Sequence, residues 1–369
     1  MPVGFTLRWI DRPAVDLPWF IGAALLGWAA LLAHVVYGVP AIALYWVWIL
    51  FFDGPHLFAT LTRTYFDKAE RASRPGLLVG AFAWAVPPLA ALAWGLGTGD
   101  RLPWFIFLAF AQVWAYWHVV RQHYGFLVLY QRKAGEPAGT AARTYYVAFY
   151  TWMLAPFVSF AIRHPGARKE LGLPAMMSAA EHGIVQAMLV LTVLATVAYA
   201  GKEVLRVRAG QPWNVAKNLF LAACVPLHIV ALLHPTWSTR MELLALPIVV
   251  TVYHNVQYSG IVWSYARKRY GSDDGNRYGA ATKMTRHLVT WYALALLATF
   301  AGRYASWSVD GRFWPFTPGD WKLGGVFSGR DLVDGWWWIV AMHHYYLDQK
   351  IWRVSRDREV QRDLGLVAG

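Results

Sequence analysis

Long apolar runs alternate with short polar segments along the whole chain. A run of about twenty apolar residues is the length that an α-helix needs to cross the hydrocarbon core of a bilayer. The pattern predicts an all-α, polytopic integral membrane helical bundle of about ten transmembrane helices, organised as a single transmembrane domain over residues 1–369. The predicted spans are 18–37, 39–60, 77–97, 102–131, 144–162, 179–201, 213–234, 241–266, 284–302 and 332–352.

The composition agrees with a membrane protein and argues against other classes. The chain is 57% hydrophobic and 15% charged, whereas soluble domains carry about 25% charged residues. The formal net charge is +13, but Lys and Arg are spread between the apolar runs and form no single basic face, so we expect no nucleic-acid partner. The one cysteine, Cys224, excludes an internal disulfide and predicts that there is no cysteine-based zinc or iron–sulfur site.

The basic residues are distributed unevenly among the predicted loops. With a cytoplasmic N-terminus, 24 of the 34 Lys and Arg residues lie on inner segments, nine lie on outer segments, and Arg121 lies within the fourth span. This excess follows the positive-inside rule. We therefore expect both termini in the cytoplasm of a protein of the bacterial inner membrane. We expect Arg267–Arg269 and the Arg-rich tail to contact anionic membrane lipids.

Several imidazoles fall inside the apolar runs, where an ionisable group indicates function by default. The predicted spans two, four, eight and ten all run from outside to inside, and they bring these imidazoles to depths that differ by about two helical turns at most. The simplest ligand that they could share is a metal ion. The candidate metal ligands are His56, His118, His123, His254, His343 and His344.

The second span contains an acid and an imidazole three residues apart, Asp53 and His56, which are neighbours on one helical face. Between them, Pro55 should kink the helix and Gly54 should let another helix approach. We interpret Asp53 as a co-ligand of the metal or as the acceptor that orients His56. The alternative is a kinked helix with an ordinary polar pair.

The fourth span carries two candidate ligands and a charge. His118 and His123 are about 140° apart around an ideal helix. Either a π-bulge turns both inward, or only one binds the metal. Arg121 lies between them and needs an anion inside a span. Asp53 or a substrate oxygen could serve.

In the eighth span, Asn255 or Gln257 could orient His254 through its second ring nitrogen. We count these two amides with the cofactor-binding residues. Two further histidines, His34 and His228, fall in the outer halves of odd-numbered spans, and we expect them to contribute little.

In the tenth span, Asp348 follows His344 by four residues, which is the spacing of a carboxylate that orients a ligating histidine. The adjacent His343 and His344 differ by about 100° around the helix. A single metal would not readily take both. This favours a two-metal cluster, or one metal ligand beside one substrate contact.

Imidazole-rich donor sets without thiolate suit iron, copper or zinc. A substrate that reaches a site inside a bilayer is itself apolar, and its C–H and C=C bonds can be attacked by activated oxygen. We therefore expect an oxidoreductase, a non-haem iron oxygenase with one or two iron ions, O₂ as co-substrate and a hydrophobic lipid or polyene as substrate. Asp53 and Asp348 would orient ligands, and Arg121 would position substrate or balance charge. An electron donor would be a further partner.

Two families share parts of this pattern. The layout of spans together with Gly54-Pro55-His56 resembles the Brp/Blh β-carotene 15,15′-dioxygenases, multi-span proteins with histidine-bound non-haem iron that cleave a retinoid precursor. The abundance of histidines is more distantly similar to the fatty acid desaturase and hydroxylase superfamily. Its HxxxH and HxxHH clusters are absent here, and His118 with His123, an isolated His254 and the His343-His344 pair stand in their place.

Two other functions stay open from the sequence. Paired histidines in a membrane are typical of haem-b electron transfer linked to quinol, in which small residues make room for the macrocycle; Gly125 and Gly335 are the candidates. A proton-coupled transporter with a His/Asp relay would hold no metal and would be built from repeated halves.

Overall fold

The computed structural model of the protein describes residues 4–174, 176–272, 275–310, 321–354 and 356–366. The structure is 79% helical with almost no strand, which confirms the all-α prediction. The chain divides into two compact units by its contacts. The first unit comprises Met1–Trp48, Trp117–Gln257 and Leu364–Gly369, and the second comprises Ile49–Tyr116 and Tyr258–Asp363. The single transmembrane domain stays a prediction.

Eighteen α-helices occupy the described residues. They are α1 Pro13–Val15, α2 Ala24–Val35, α3 Ala41–Trp48, α4 Gly54–Arg63, α5 Lys68–Ser73, α6 Pro75–Gly80, α7 Val86–Thr98, α8 Leu102–Lys133, α9 Arg143–Arg163, α10 Pro165–Glu170, α11 Ser178–Arg208, α12 Val215–Leu233, α13 Pro235–Arg240, α14 Ala245–Tyr270, α15 Ala280–Met284, α16 Leu288–Asp310, α17 Gly329–Ile351 and α18 Arg358–Asp363. The π-helical turns are Asp16–Ile21 and Ile49–Asp53, and the 3-10 turns are Ala81–Ala85 and Gly139–Ala142. The strands are β1 Phe5–Thr6, β2 Trp213–Asn214, β3 Lys322–Leu323 and β4 Phe327–Ser328.

Seven helical stretches of the described chain are long and apolar enough to cross a membrane. They are Pro13–Val35, Ala41–Arg63, Pro75–Thr98, Leu102–Lys133, Arg143–Arg163, Ser178–Arg208 and Val215–Leu233. They coincide with the first seven predicted spans. The last three predicted spans are also helical, in α14, α16 and α17, but these helices are not among the seven.

Helix α11 displays the apolar surface expected of a helix in contact with lipid. In the most apolar segment of α11 only 11% of the residues are buried, compared with 67% in the corresponding segment of α9. Aliphatic side chains cover the exposed surface of α11, namely Leu189, Val190, Leu191, Val193, Leu194 and Val197. An exposed apolar surface of this kind is compatible with a bilayer as its surroundings.

In the second unit, charged residues join three of the segments that the sequence assigns to the inner side. Arg269 Nε donates to Asp67 at 3.0 Å and its Nη1 donates to Glu359 at 2.8 Å. Arg74 pairs with Asp357. Burial alone would raise the pKa of the Asp357 carboxyl, but a backbone N–H and the Arg74 guanidinium hold that pKa below its ordinary value. Acidic residues of the protein thus bind the Arg269 guanidinium, and the expected contact of the Arg267–Arg269 segment with lipid stays a prediction.

In the first unit, predicted inner segments also meet. Lys217 Nζ lies 3.0 Å from Glu136 and 2.8 Å from Glu203, with the ammonium fully buried. The strand Phe5–Thr6 pairs in parallel with Trp213–Asn214. These contacts join residues near the N-terminus with the segments around 132–143 and 202–217.

Predicted outer segments likewise contact one another. Arg101 pairs with Asp331 at 2.6 Å in the second unit. Arg163 donates to the Ser238 hydroxyl at 2.8 Å in the first unit. Within each unit, these contacts therefore join loops that the sequence assigns to the same side of a membrane.

A close helix approach positions the start of α4. The π-helical turn Ile49–Asp53 leads directly into α4, and Pro55, which has no N–H to donate, stands in the first turn of α4. The Phe51 carbonyl, four residues earlier, accepts from the Tyr292 hydroxyl instead. A Cβ atom on Gly54 would lie 2.0 Å from Thr299 Cγ2 of α16. The prediction that Gly54 admits a neighbouring helix is thus confirmed.

We expect Gly54→Ala to lower the free energy of unfolding by about 1–3 kcal/mol, because the added methyl group overpacks against Thr299. The measurement is the midpoint of thermal unfolding in detergent. Gly125→Ala on α8 is the matched control, since open space surrounds Gly125, and it should leave the midpoint unchanged or raise it. Equal midpoints for wild type and Gly54→Ala would contradict the close approach.

Candidate metal centre

Two histidines and one carboxylate converge in the second unit. His56 belongs to α4, whereas His344 and Asp348 belong to α17, and all three are buried. Each offers one donor atom, and these atoms lie within 4.8 Å of one another. The rings of His56 and His344 meet edge to face with their centroids 4.4 Å apart. We call His56, His344 and Asp348 the carboxylate cluster.

Helix α17 carries two of these side chains, His344 and Asp348. Its start is fixed by a capping box, in which Ser328 and Asp331 exchange side-chain and backbone hydrogen bonds. Four residues separate His344 from Asp348, so both lie on one helical face as the sequence predicts. The His344 Nε2 and the Asp348 Oδ2 atoms are 3.5 Å apart.

Two hydroxyl groups lie against Asp348 and His344. Tyr258 donates its hydroxyl hydrogen to Asp348 Oδ1. Thr60 Oγ1 lies 3.0 Å from the same oxygen, 2.7 Å from the Tyr258 hydroxyl and 2.7 Å from His344 Nδ1. When Thr60 gives its one hydrogen to Asp348 or Tyr258, it accepts from His344 Nδ1, and Nε2 then has the lone pair that a metal ion needs.

The separation of Nε2 and Oδ2 suits two donors on one metal ion. For metal–ligand bonds of about 2.1 Å, as in zinc sites, neighbouring donors lie about 3.0–3.4 Å apart. A charge-assisted N–H···O bond would bring the two atoms to about 2.7–2.9 Å. The observed 3.5 Å is therefore nearer to the spacing of two ligands than to that of an imidazolium–carboxylate bond.

His343 faces another direction. Its Nε2 lies 2.7 Å from the Tyr65 hydroxyl, which donates its own hydrogen to the Leu78 carbonyl at 2.9 Å. His343 must therefore donate through Nε2. Partial burial raises the pKa of the Tyr65 phenol, which keeps it protonated. This orientation agrees with the expectation that a single metal would not readily take both adjacent histidines, and it leaves His343 outside the carboxylate cluster.

Asp53 contacts a residue that the sequence analysis did not consider. Arg303 Nη2 donates to Asp53 Oδ2 at 3.1 Å. The guanidinium also covers the Trp337 ring at 3.3 Å from the ring centroid. The described contacts thus assign Asp53 to an ion pair with α16, and its role as a ligand or orienting residue stays a prediction.

The remaining predicted ligands lie in the first unit. His118 and His254 meet edge to face with their centroids 5.0 Å apart, and His123 is 6.2 Å from His254. Helix α8 is a continuous α-helix from Leu102 to Lys133, so of the two alternatives the one with a π-bulge does not apply. Both rings of α8 are buried without it, because packing partners surround the helix on more than one face.

Two residues of α12 were missed. Cys224 and His228 offer donor atoms within 4.8 Å of one another and of His123. The signal was present, since the four-residue spacing of Cys224 and His228 places both on one helical face. A single cysteine argues against zinc and iron–sulfur sites built on cysteine alone, and the position of His228 in an odd-numbered span had suggested a minor role. A single thiol can still join imidazoles in a mixed donor set, so that exclusion was too broad.

Arg121 is exposed on α8. Its Nη1 donates to the Tyr150 hydroxyl at 2.6 Å, and its guanidinium lies 5.9 Å from the centroid of the Tyr124 ring. In the described part of the chain, a phenol therefore takes the place of the expected anion. Its role in positioning substrate stays a prediction.

The two amides of α14 bond to different partners. Asn255, with its amide oriented to satisfy both groups, donates to the Thr251 carbonyl and accepts from the Trp48 indole, each at 3.2 Å. Gln257 Nε2 donates to the Phe20 carbonyl at 2.8 Å. Asn255 thus links α14 to α3, and Gln257 ties α14 to the π-helical turn near the N-terminus.

Comparison of the chain with models of known families, with curated proteins and with solved structures found no match.

We expect Asp53→Ala to lower the free energy of unfolding by about 1–3 kcal/mol, because Arg303 loses its ion-pair partner in a largely buried position. Metal content should not change. The test combines thermal unfolding in detergent with elemental analysis, and Asp53→Asn, which keeps an acceptor oxygen, is the matched control. A loss of bound metal in Asp53→Ala at unchanged stability would instead support Asp53 as a ligand.

Proposed function

We propose that the protein is a membrane-embedded, histidine-ligated non-haem iron oxygenase that acts with O₂ on a hydrophobic lipid or polyene. The observation that carries this proposal is the buried carboxylate cluster, two imidazoles and one carboxylate with donors within 4.8 Å. Such a set leaves coordination positions open and is typical of iron(II) oxygenases. Bound iron would supply the activation of O₂ for attack on a C–H or C=C bond.

The surrounding residues would keep the cluster ready to bind iron. Thr60 contacts His344 Nδ1 and so orients its ring, and Tyr258 and Thr60 hold one Asp348 oxygen so that the other faces His344. The Tyr258 ring packs against His56 with centroids 4.6 Å apart. Ligands held by outer hydrogen bonds of this kind keep their orientation and bind metal more tightly.

We further propose the ten-span topology, with both termini in the cytoplasm and the chain in a bacterial inner membrane. Its support is the excess of Lys and Arg on one set of segments. The contacts within each unit add to this, because Arg269 with Asp67 and Lys217 with Glu136 join segments that this topology puts on the inner side. A further support is that α14, α16 and α17 are helical over the last three predicted spans.

Haem binding has weaker support. The sequence left room for a macrocycle at Gly335, but a Cβ atom there would lie 2.4 Å from the Trp104 ring, so this indole fills the space. Gly125 is exposed on α8. A transporter would need no metal donor set such as the carboxylate cluster.

We expect His344→Ala and His56→Ala to lose most of the iron that the purified protein binds, because each removes one of three donors. The measurement is iron per protein by elemental analysis, together with an absorption spectrum that should show no Soret band. His343→Ala is the matched control, since His343 bonds to Tyr65, and it should retain its iron. Full iron content in His344→Ala, zinc in place of iron in the wild type, or a Soret band would each contradict the assignment.

Activity tests the reaction class separately. Iron-loaded protein in lipid vesicles should consume O₂ when a polyene or an unsaturated lipid is added, and Asp348→Asn should abolish this uptake because an amide is a poorer ligand than a carboxylate. Oxygen uptake is followed with an electrode, and products by mass spectrometry. Uptake that is independent of iron would contradict the oxygenase.

A further inference from the structure

A second donor set lies in the first unit and is independent of the carboxylate cluster. It consists of His123 on α8 with Cys224 and His228 on α12, and we call it the thiol cluster. All three side chains are 0% exposed. One atom from each lies within 4.8 Å of the other two.

We propose that the thiol cluster binds one copper(I) ion. Cys224 and His228 project from the same face of α12, one turn apart, and His123 approaches from α8 with its ring centroid 5.5 Å from that of His228. Donors around one ion with N and S ligands lie about 3.3–3.8 Å apart, given bonds of about 2.0–2.3 Å. Small side-chain rotations would therefore gather the three donors around one ion.

The net charge of the buried site determines which ion it favours. A metal-bound cysteine is a thiolate with one negative charge, and the two imidazoles are neutral ligands. With a monovalent copper ion the assembly is neutral, whereas a divalent ion leaves a net charge of +1. Burying a net charge in an apolar interior is strongly unfavourable. Since all three ligands are fully buried, the site favours copper(I) over zinc(II) or iron(II).

The chemistry of the ligands also favours copper(I). Thiolates are soft ligands that select copper(I), zinc and iron–sulfur clusters, and imidazole also suits copper. An iron–sulfur cluster needs several thiolates, and the chain has one cysteine. No second cysteine exists within the chain for a disulfide with Cys224.

The environment of His123 supplies a second, independent observation. Among the described residues, neither ring nitrogen of His123 forms a hydrogen bond of acceptable geometry, although the ring is fully buried. Gln257 lies beside it, with its amide nitrogen already donated to the Phe20 carbonyl. The Gln257 oxygen could therefore accept from one ring nitrogen, while the other binds the metal, as is usual for ligating histidines.

The test is the binding of copper alone, under reducing conditions, to the full chain in detergent. Competition with a copper(I) chelator should show one tightly bound ion, and X-ray absorption should show one sulfur and two nitrogen neighbours. Cys224→Ser should weaken copper binding by more than the roughly 10–100-fold that changes to outer hydrogen-bond partners produce. It should leave the iron content unchanged.

His344→Ala is the matched variant for the other cluster, and it should lose iron while it keeps copper. This pair of variants separates the failure of one proposal from the failure of the other. Equal copper binding by wild type and Cys224→Ser would overturn the thiol cluster, and so would tighter binding of zinc than of copper. If Cys224→Ser does not fold, the absence of a sulfur neighbour in the copper-loaded wild type overturns it as well.

Discussion

The burial of Asp348 within apolar helices is the constraint on which the candidate centre depends. A carboxylate removed from water must be stabilised by donors or by a cation. The Tyr258 and Thr60 hydroxyl groups lie against one oxygen, and the other oxygen is 3.5 Å from His344 Nε2. A positive charge between these two atoms, carried by a metal ion or by a proton on the imidazole, would stabilise the carboxylate. This need for a positive charge is the physical basis of the proposed metal site.

The same constraint explains where charges lie elsewhere. Lys217 is fully buried but is surrounded by Glu136 and Glu203. Arg269 is bonded to Asp67 and Glu359, in segments that the sequence places on the inner side. Networks of paired charges fix the ends of the helices, because a buried charge without its partner is strongly destabilising. The positions of these networks support the proposed topology independently of hydropathy.

Local spacing explains what the sequence could predict. The apolar helices follow from runs of apolar residues, and the shared face of His344 and Asp348 follows from their four-residue spacing. Gly54 as a point of close approach could be predicted in the same way, since only glycine tolerates such contact. Each of these features is encoded within one helix.

Contacts between distant segments could not be predicted from spacing. Arg303 is 250 residues from Asp53, and the Tyr65 hydroxyl that binds His343 is 278 residues away from it. Such partners depend on how helices pack, and a helical period says nothing about packing between helices. Cys224 and His228 are a different case, because their four-residue spacing within one helix can be read from the sequence. They were not predicted as ligands because a single cysteine was taken as evidence against any thiolate ligand.

The two donor sets should behave differently once they are filled. A divalent ion on the carboxylate cluster would retain a net charge of +1, since one carboxylate and two neutral imidazoles face it, and this residual charge in an apolar site attracts a further oxygen ligand. A monovalent ion on the thiol cluster would be neutralised by one thiolate and would attract no additional anion. Under the two proposals, charge balance would let the carboxylate cluster take up a further oxygen ligand and would give the thiol cluster no need of one, which agrees with the proposed reactive role of the first and the proposed resident ion of the second.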